Sequence, residues 1–181
     1  MALGATIYNF EVQLSDVDRG VYEALSIKAA RHPSESDEYL VTRVLAYCLE
    51  YTEGIAFSKG GLSDPDQPPV AVRDLTGALQ SWIDIGLPDA ARLHRAAKAA
   101  PRVAVYTHRD PAVLRKSLEG ARIHRGETLE LYAFGRELIA GLVRRLARRT
   151  AWELSLHEGT LFITVANDTL QGELQALAGL E

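Results

Sequence analysis

One cysteine in 181 residues rules out an internal disulfide, and with it the disulfide-framed folds of small secreted proteins. Zinc ribbons and redox CxxC sites fall by the same count, since each needs a pair of thiols. Cys48 stands inside an apolar helical stretch and reads as a small core residue. Long hydrophobic runs are missing too. None approaches the roughly 20 residues that span a bilayer, and the start Met-Ala-Leu-Gly-Ala-Thr-Ile lacks the basic-then-apolar layout of a secretory signal. The expected location is therefore the cytoplasm, with no membrane partner. A GxGxxG loop after a strand, a Walker lysine, a GxSxG elbow and an HExxH zinc motif are all absent. Organic nucleotide cofactors, α/β-hydrolase chemistry and zincin chemistry lose their usual support.

What is present is an ordinary soluble mixture, 47% hydrophobic and 24% charged, which excludes a wholly disordered chain. The length suits one domain over residues 1–181, large enough to bury a core without staples. The net charge of −4 argues against nucleic-acid binding by bulk charge. Its distribution is uneven. Residues 1–91 hold 6 Lys/Arg against 14 Asp/Glu, whereas residues 92–181 hold 14 against 10. A cation site belongs in the first half and an anion-binding surface in the second.

Periodicity gives the elements. Residues 5–14 alternate as a strand with Tyr8, Phe10, Val12 and Leu14 on one face. Val21, Leu25 and Ala29 keep helical spacing up to the breaker His32-Pro33, which predicts a helix or loop there. Ser34-Glu35-Ser36-Asp37 resembles a capping box, and the stripe Leu40, Val44, Tyr47/Cys48, Tyr51 predicts a helix running to Gly54. A short strand at residues 55–57 precedes residues 62–69, whose three prolines and two aspartates predict an irregular acidic loop. Residues 74–77 and 79–86 read as a hairpin or two short strands, and Asp89 as the N-cap of a helix ending before Pro101. Further on come a strand at 103–106, a helix at 112–119, a strand at 128–134, and a helix marked by Leu138, Leu142 and Leu146. A C-terminal hairpin turns at His157-Glu158-Gly159. The strand–helix–strand order predicts at least one parallel pair. The architecture is mixed α/β, a central sheet with helices on its faces.

The strongest chemical signal is a carboxylate series: Glu35, Asp64, Asp66, Asp74 and Asp84. Asp84 is the informative member, because the strand Trp82-Ile83-Asp84-Ile85 is a costly place for a charge unless it is paired, hydrogen-bonded or metal-bound. The structural alternative is that alternation turns Asp84 to a solvent face.

Three segments in order, Ala29-Ala30-Arg31-His32-Pro33-Ser34-Glu35, Gly61-Leu62-Ser63-Asp64-Pro65-Asp66-Gln67-Pro68 and Trp82-Ile83-Asp84-Ile85-Gly86-Leu87-Pro88-Asp89, are similar to the bacterial YaeQ family over essentially the whole chain. The resemblance implies a variant of the restriction-endonuclease-like, PD-(D/E)XK nuclease fold: a central mixed sheet flanked by helices, whose acids hold a divalent cation. By position it makes Glu35 the helix glutamate, Asp84 the central-strand acid, and Asp66 or Asp74 the leading aspartate, all as Mg²⁺ ligands. The lysine of the motif falls on Gly86, and the nearest replacement is Lys98 on the following helix. Gln67 stands where family members often have Glu, and Asp84 where they often have Glu.

Two functions from different classes follow. One is a Mg²⁺-dependent phosphodiesterase acting on DNA or RNA through Glu35, Asp66 or Asp74, Asp84 and Lys98. The other is a non-catalytic descendant of the fold that binds a nucleic acid or a protein partner. Under the first, the three carboxylates converge within reach of one cation and Lys98 points toward them. Arg144, Arg145, Arg148 and Arg149 form a candidate phosphate stripe, though a solvated helix end accounts for them as well. The five histidines show no metal-ligand spacing.

Overall fold

The computed structural model describes residues 4–59 and 64–180. The chain opens with a long antiparallel hairpin, β1 (Thr6–Asp16) and β2 (Val21–Arg31), in which Phe10 faces Ile27 and Val12 faces Leu25. The expected helix over residues 21–29 is thus a strand. Val21, Leu25 and Ala29 are four apart, an even number, so the same spacing satisfies a period of two. The buried Ile27 between them settles the period.

Helix α1 (Asp37–Leu49) follows. Its cap is Ser36, whose hydroxyl accepts the Tyr39 N–H at 3.1 Å, two residues later than the capping box suggested. The Ser34 hydroxyl instead meets His32 Nδ1 at 2.8 Å. Every residue from 40 to 46 is buried, so α1 is covered all round rather than along one stripe. It packs against β2, against α4, and against β3 (Ile55–Phe57), β4 (Val70–Arg73), β5 (Leu79–Ile85) and β6 (Arg102–Thr107).

Those strands lie at opposite ends of one ten-stranded sheet, of order β2-β1-β8-β9-β10-β7-β6-β5-β4-β3 with β7 at Glu130–Phe134, β8 at Arg149–His157, β9 at Thr160–Val165 and β10 at Asp168–Leu177, so the sheet curls around α1. Most neighbours are antiparallel. The β5/β6, β6/β7 and β1/β8 pairs are parallel, which confirms the parallel pairing read from the strand–helix–strand order. Helices α2 (Ala90–Ala99) and α3 (Pro111–Leu118) cover the other face of β5, β6 and β7 (Glu130–Phe134). Trp82, Leu93, Val103, Val105, Leu114, Leu118 and Leu131 form a second core there. Helix α4 (Arg136–Arg144) then leads into β8 (Arg149–His157), β9 (Thr160–Val165) and β10 (Asp168–Leu177). The β8/β9 hairpin turns where expected, with Leu156 opposite Leu161.

Besides β2, two further strands are not legible in the sequence. β4 is only four residues long, and β10 reads as a polar tail. β10 pairs first with β9 and then with β7, stitching the sheet together. At its crossing with α4 only Gly172 fits, since a Cβ there would lie 2.7 Å from the Cβ of Leu138. The described part of the proline loop is irregular, as composition requires; residues 60–63 lie outside the described residues. Among the described residues no helix is long and apolar enough to cross a membrane.

The observed cap makes a direct prediction. Ser36→Ala removes the acceptor of the Tyr39 N–H and costs about 1 kcal/mol in urea unfolding. Ser34→Ala stays within about 0.5 kcal/mol of the parent. A larger loss at Ser34 than at Ser36 would place the helix start at the earlier serine.

Candidate functional site

Strand β5 ends in the informative acid. Asp84 is only 2% exposed, because α2 covers the β5 face that alternation would otherwise leave to water. Its solvent-facing alternative is thereby excluded. Both carboxylate oxygens are taken. Arg92 Nε donates to Oδ2 at 2.7 Å, the Trp82 indole N–H to the same oxygen at 3.2 Å, and the Ile85 amide to Oδ1 at 3.2 Å. Burial raises the Asp84 carboxyl above its ordinary value, while the Arg92 guanidinium and these hydrogen bonds pull it back down.

Arg92 is placed by local geometry. Asp89 caps α2 by accepting the Arg92 N–H at 2.7 Å, which fixes the first turn. The α2 face running through Leu93, Ala96 and Ala97 is buried, and Arg92 stands one turn before Ala96 on that stripe. Its guanidinium also donates to the Asp64 carbonyl at 3.3 Å and the Gln67 carbonyl at 3.0 Å, and lies 5.3 Å over the Trp82 ring. One side chain thereby ties β5, α2 and the proline loop together.

The other sequence candidates occupy different places. Glu35 is buried against Arg43, whose Nη2 approaches Oε2 at 3.1 Å; burial raises its pKa and Arg43 opposes the rise. Arg43 also donates to the Ala30 carbonyl and lies over Phe57. Asp66 is exposed in the loop, its amide bonded to Asp64 Oδ1. Asp74 closes the β4/β5 turn at the far end of β5 from Asp84. It accepts from Thr76, Ala78 and Gln80, and the Thr76 hydroxyl bond leads in lowering its pKa. Lys98 is exposed, off the buried stripe of α2. Among the described residues, no three His, Cys, Asp or Glu side chains gather closely enough to hold a metal ion. The donor set does not fit Mg²⁺: Glu35 and Asp84 are each engaged by an arginine, and both aspartates proposed to lead are elsewhere. Convergence on one cation and the approach of Lys98 are therefore not what the structure brings together.

What it does bring together is a cleft of about 370 Å³ at the carboxyl ends of β5 and β6, walled by Ser36, Tyr39, Gly86, Arg92, His108 and Arg109. A second cavity of about 460 Å³ shares His108 and Arg109 and continues past Phe134 and Gly135 to Arg136. Such crevices outside the carboxyl ends of parallel strands are where open sheets receive ligands. Burial, then the neighbouring Arg109 charge, lowers the His108 pKa, so its ring is neutral at pH 7, with a buried Nδ1 that has no partner among the described residues. Burial and the Asp84 charge push the Tyr39 phenol up. Arg109 and Arg136 form no ion pair among the described residues and are exposed.

Sequence reasoning missed Arg92 and His108. Arg92 was findable, since an N-cap at Asp89 and a stripe through Ala96 put it inward and Lys98 outward. His108 carried no such signal. The basic run at 144–149 is not one helical stripe: α4 ends at Arg144, Arg145 pairs with Asp168, and Arg148 lies over Tyr8. A further polar cluster is closed on itself. Arg102 bridges Glu50 and Glu130, and the Tyr106 and Tyr132 hydroxyls donate to those glutamates.

An Asp84 held by Arg92 has a clear signature in stability. Asp84→Asn leaves the Arg92 charge poorly compensated and costs on the order of 2–4 kcal/mol, equally in chelator and in Mg²⁺. Arg92→Met costs a similar amount, and the double variant loses less than the two singles together. Additive losses, or a loss seen only with Mg²⁺ present, would contradict the pairing.

Comparison with known proteins agrees with the overall fold. The solved YaeQ protein of Pseudomonas syringae superposes with a TM-score of 0.86 at 32% identity, over 97% of both chains. The YaeQ protein of Xanthomonas axonopodis pv. citri does so at 0.86 and 28%, covering 96% of this chain and 98% of its own. "Uncharacterized protein YaeQ" of Escherichia coli K12 is 38% identical over 112 residues, a match spanning 62% of this chain and only 61% of that protein. Its Salmonella typhi counterpart is 28% identical over 97% of both. The family model described as YaeQ protein matches residues 1–174, and with that the chain belongs to the YaeQ family.

Proposed function

We propose that this chain binds single-stranded nucleic acid in the groove along the carboxyl ends of β5, β6 and β7, without a metal ion. The observation that carries the reading is the pair Arg109 and Arg136, exposed and without an ion pair among the described residues, along two adjoining cavities that His108 joins. Arginine is suited to phosphate by its planar fork of donors and its weak hydration. The α4 N-terminus adds to the attraction, since Gly135 supplies no side-chain cap for its amides. Tyr39 and His108 supply flat surfaces between the cations, the combination that single-strand grooves use.

The reading also explains the acids. A helix packed on a mixed sheet, with one carboxylate before the helix and another in a central strand, supports kinship with the restriction-endonuclease-like fold. In this chain a guanidinium stands against each of the two carboxylates, where that fold would place a cation. A positive charge stands at the site, without the open coordination that metal-assisted hydrolysis needs. Binding, rather than hydrolysis, is what the side chains are arranged to do. Asp84, Asp110 and Glu173 offset part of the groove's positive charge, so the affinity depends on placed contacts rather than on bulk field.

Fluorescence anisotropy with labelled single strands, in chelator and at low salt, tests this. Affinity falls with rising salt with a slope of about −1.4 in log–log form for two neutralised phosphates. Arg109→Glu and Arg136→Glu each weaken binding by about tenfold or more. Absence of binding to any strand at low salt, or indifference to both reversals, would overturn the proposal.

A further inference from the structure

The floor of the cleft is bare backbone. Gly86 holds φ at +82°, and its amide continues the ladder by donating to the Tyr106 carbonyl at 2.9 Å. A Cβ at this position would stand 3.8 Å from His108 Cε1 and 3.9 Å from Tyr39 Cδ2. Two aromatic rings therefore border, at van der Waals distance, a strip of peptide that carries no side chain. Contact at that distance is ordinary van der Waals packing for a flat ring. Both walls are partly buried, Tyr39 packing against the core with part of its surface, and both also line the cleft.

We propose that this cleft receives one unstacked base of the bound strand, laid over Gly86 between Tyr39 and His108, while the adjoining phosphates run past Arg109 toward Arg136. The inference rests on the nucleic-acid reading above and adds to it the part of the polymer that the cleft recognises. A volume of about 370 Å³ is within the small-ligand range and lies at the mouth of a longer groove. Several of the polar groups around it are already engaged, Arg92 with Asp84 and with two carbonyls of the proline loop. The Ser34 hydroxyl is engaged with His32 Nδ1, whereas the Ser36 hydroxyl accepts the Tyr39 amide and keeps its own proton to donate. With the imidazole neutral, the pocket offers ring faces and little fixed hydrogen-bond pattern. Such a site holds any base by stacking and reads sequence weakly.

The discriminating probe removes the bases and leaves the backbone. Anisotropy is measured on two strands of equal length and charge, oligo-thymidine and the corresponding all-abasic tetrahydrofuran oligomer, in chelator at low salt. Stacking of one base contributes about 5- to 150-fold in affinity, so the thymidine strand binds tighter by a factor in that range. Tyr39→Leu and Gly86→Ala each bring the ratio of the two affinities toward one; Lys98→Ala, on the far side of α2, leaves it unchanged. Gly86→Ala strains a positive φ, so Tyr39→Leu stands as the independent variant and thermal melts check that each is folded. Equal binding of the two strands by the parent, or an unaltered ratio in Tyr39→Leu, overturns the base pocket while leaving backbone binding in place. Failure of both strands to bind overturns the pocket and the nucleic-acid reading together.

Discussion

The site is organised by the Asp84–Arg92 pair. A carboxylate in a covered strand needs a counter-charge, and α2 supplies it from its first turn at 2.7 Å. The same guanidinium reaches two carbonyls of the proline loop and lies over Trp82. Remove it, and Asp84 is left as a buried charge, the loop loses two anchors, and the turn from β5 into α2 loses its reason to close. Breaking a buried pair costs more than the pair contributes against a well-packed apolar substitute. Its presence is therefore better understood as fixing one arrangement of strand, loop and helix than as a source of stability.

That arrangement shapes what is left open. With Arg92 pulled inward on Asp84, the groove is bounded by backbone at Gly86 and by the side chains that leave the ends of β6 and β7. Arg43 and Glu35 repeat the pattern at the start of α1, where the guanidinium also joins the Ala30 carbonyl of β2 to the Phe57 ring of β3. Two arginines thus hold two acids, each eight residues away in sequence. Helix α1 is enclosed by strands of the sheet and by α4, so Tyr39 is presented to the cleft from a packed element. The apolar core does the bulk of the folding work, and the arginine pairs decide where the groove lies.

Much of this was readable and some was not, for physical reasons. Asp89 as a cap, the β8/β9 turn, the parallel pair across α2 and the burial of Cys48 follow from local chemistry and came out as expected. Residues 21–29 did not, because spacing by four fits both periods. β10 did not, because its inward positions are Leu170, Gly172 and Leu174, too sparse to stand out without the sheet that receives them. At the site, the sequence marked Asp84 as an acid that needs a partner but not the identity of that partner. Metal and arginine answer the same electrostatic demand, and only the inward stripe of α2 distinguishes them. His108 follows β6 with nothing local to set it apart; its role arises from Gly86 and Tyr39, which come from two other elements.

The central claim is that Arg92, and not a metal ion, satisfies Asp84. Nitrogen-detected NMR of the arginine Nε–H groups tests it most directly, with the Arg92 resonance assigned by its loss in Arg92→Met. A guanidinium held at 2.7 Å on a buried carboxylate gives a protected, strongly shifted Nε–H signal that is unmoved by millimolar Mg²⁺. Displacement or loss of that signal as Mg²⁺ is added, with the protein still folded, would show that the carboxylate prefers a metal and would contradict the account.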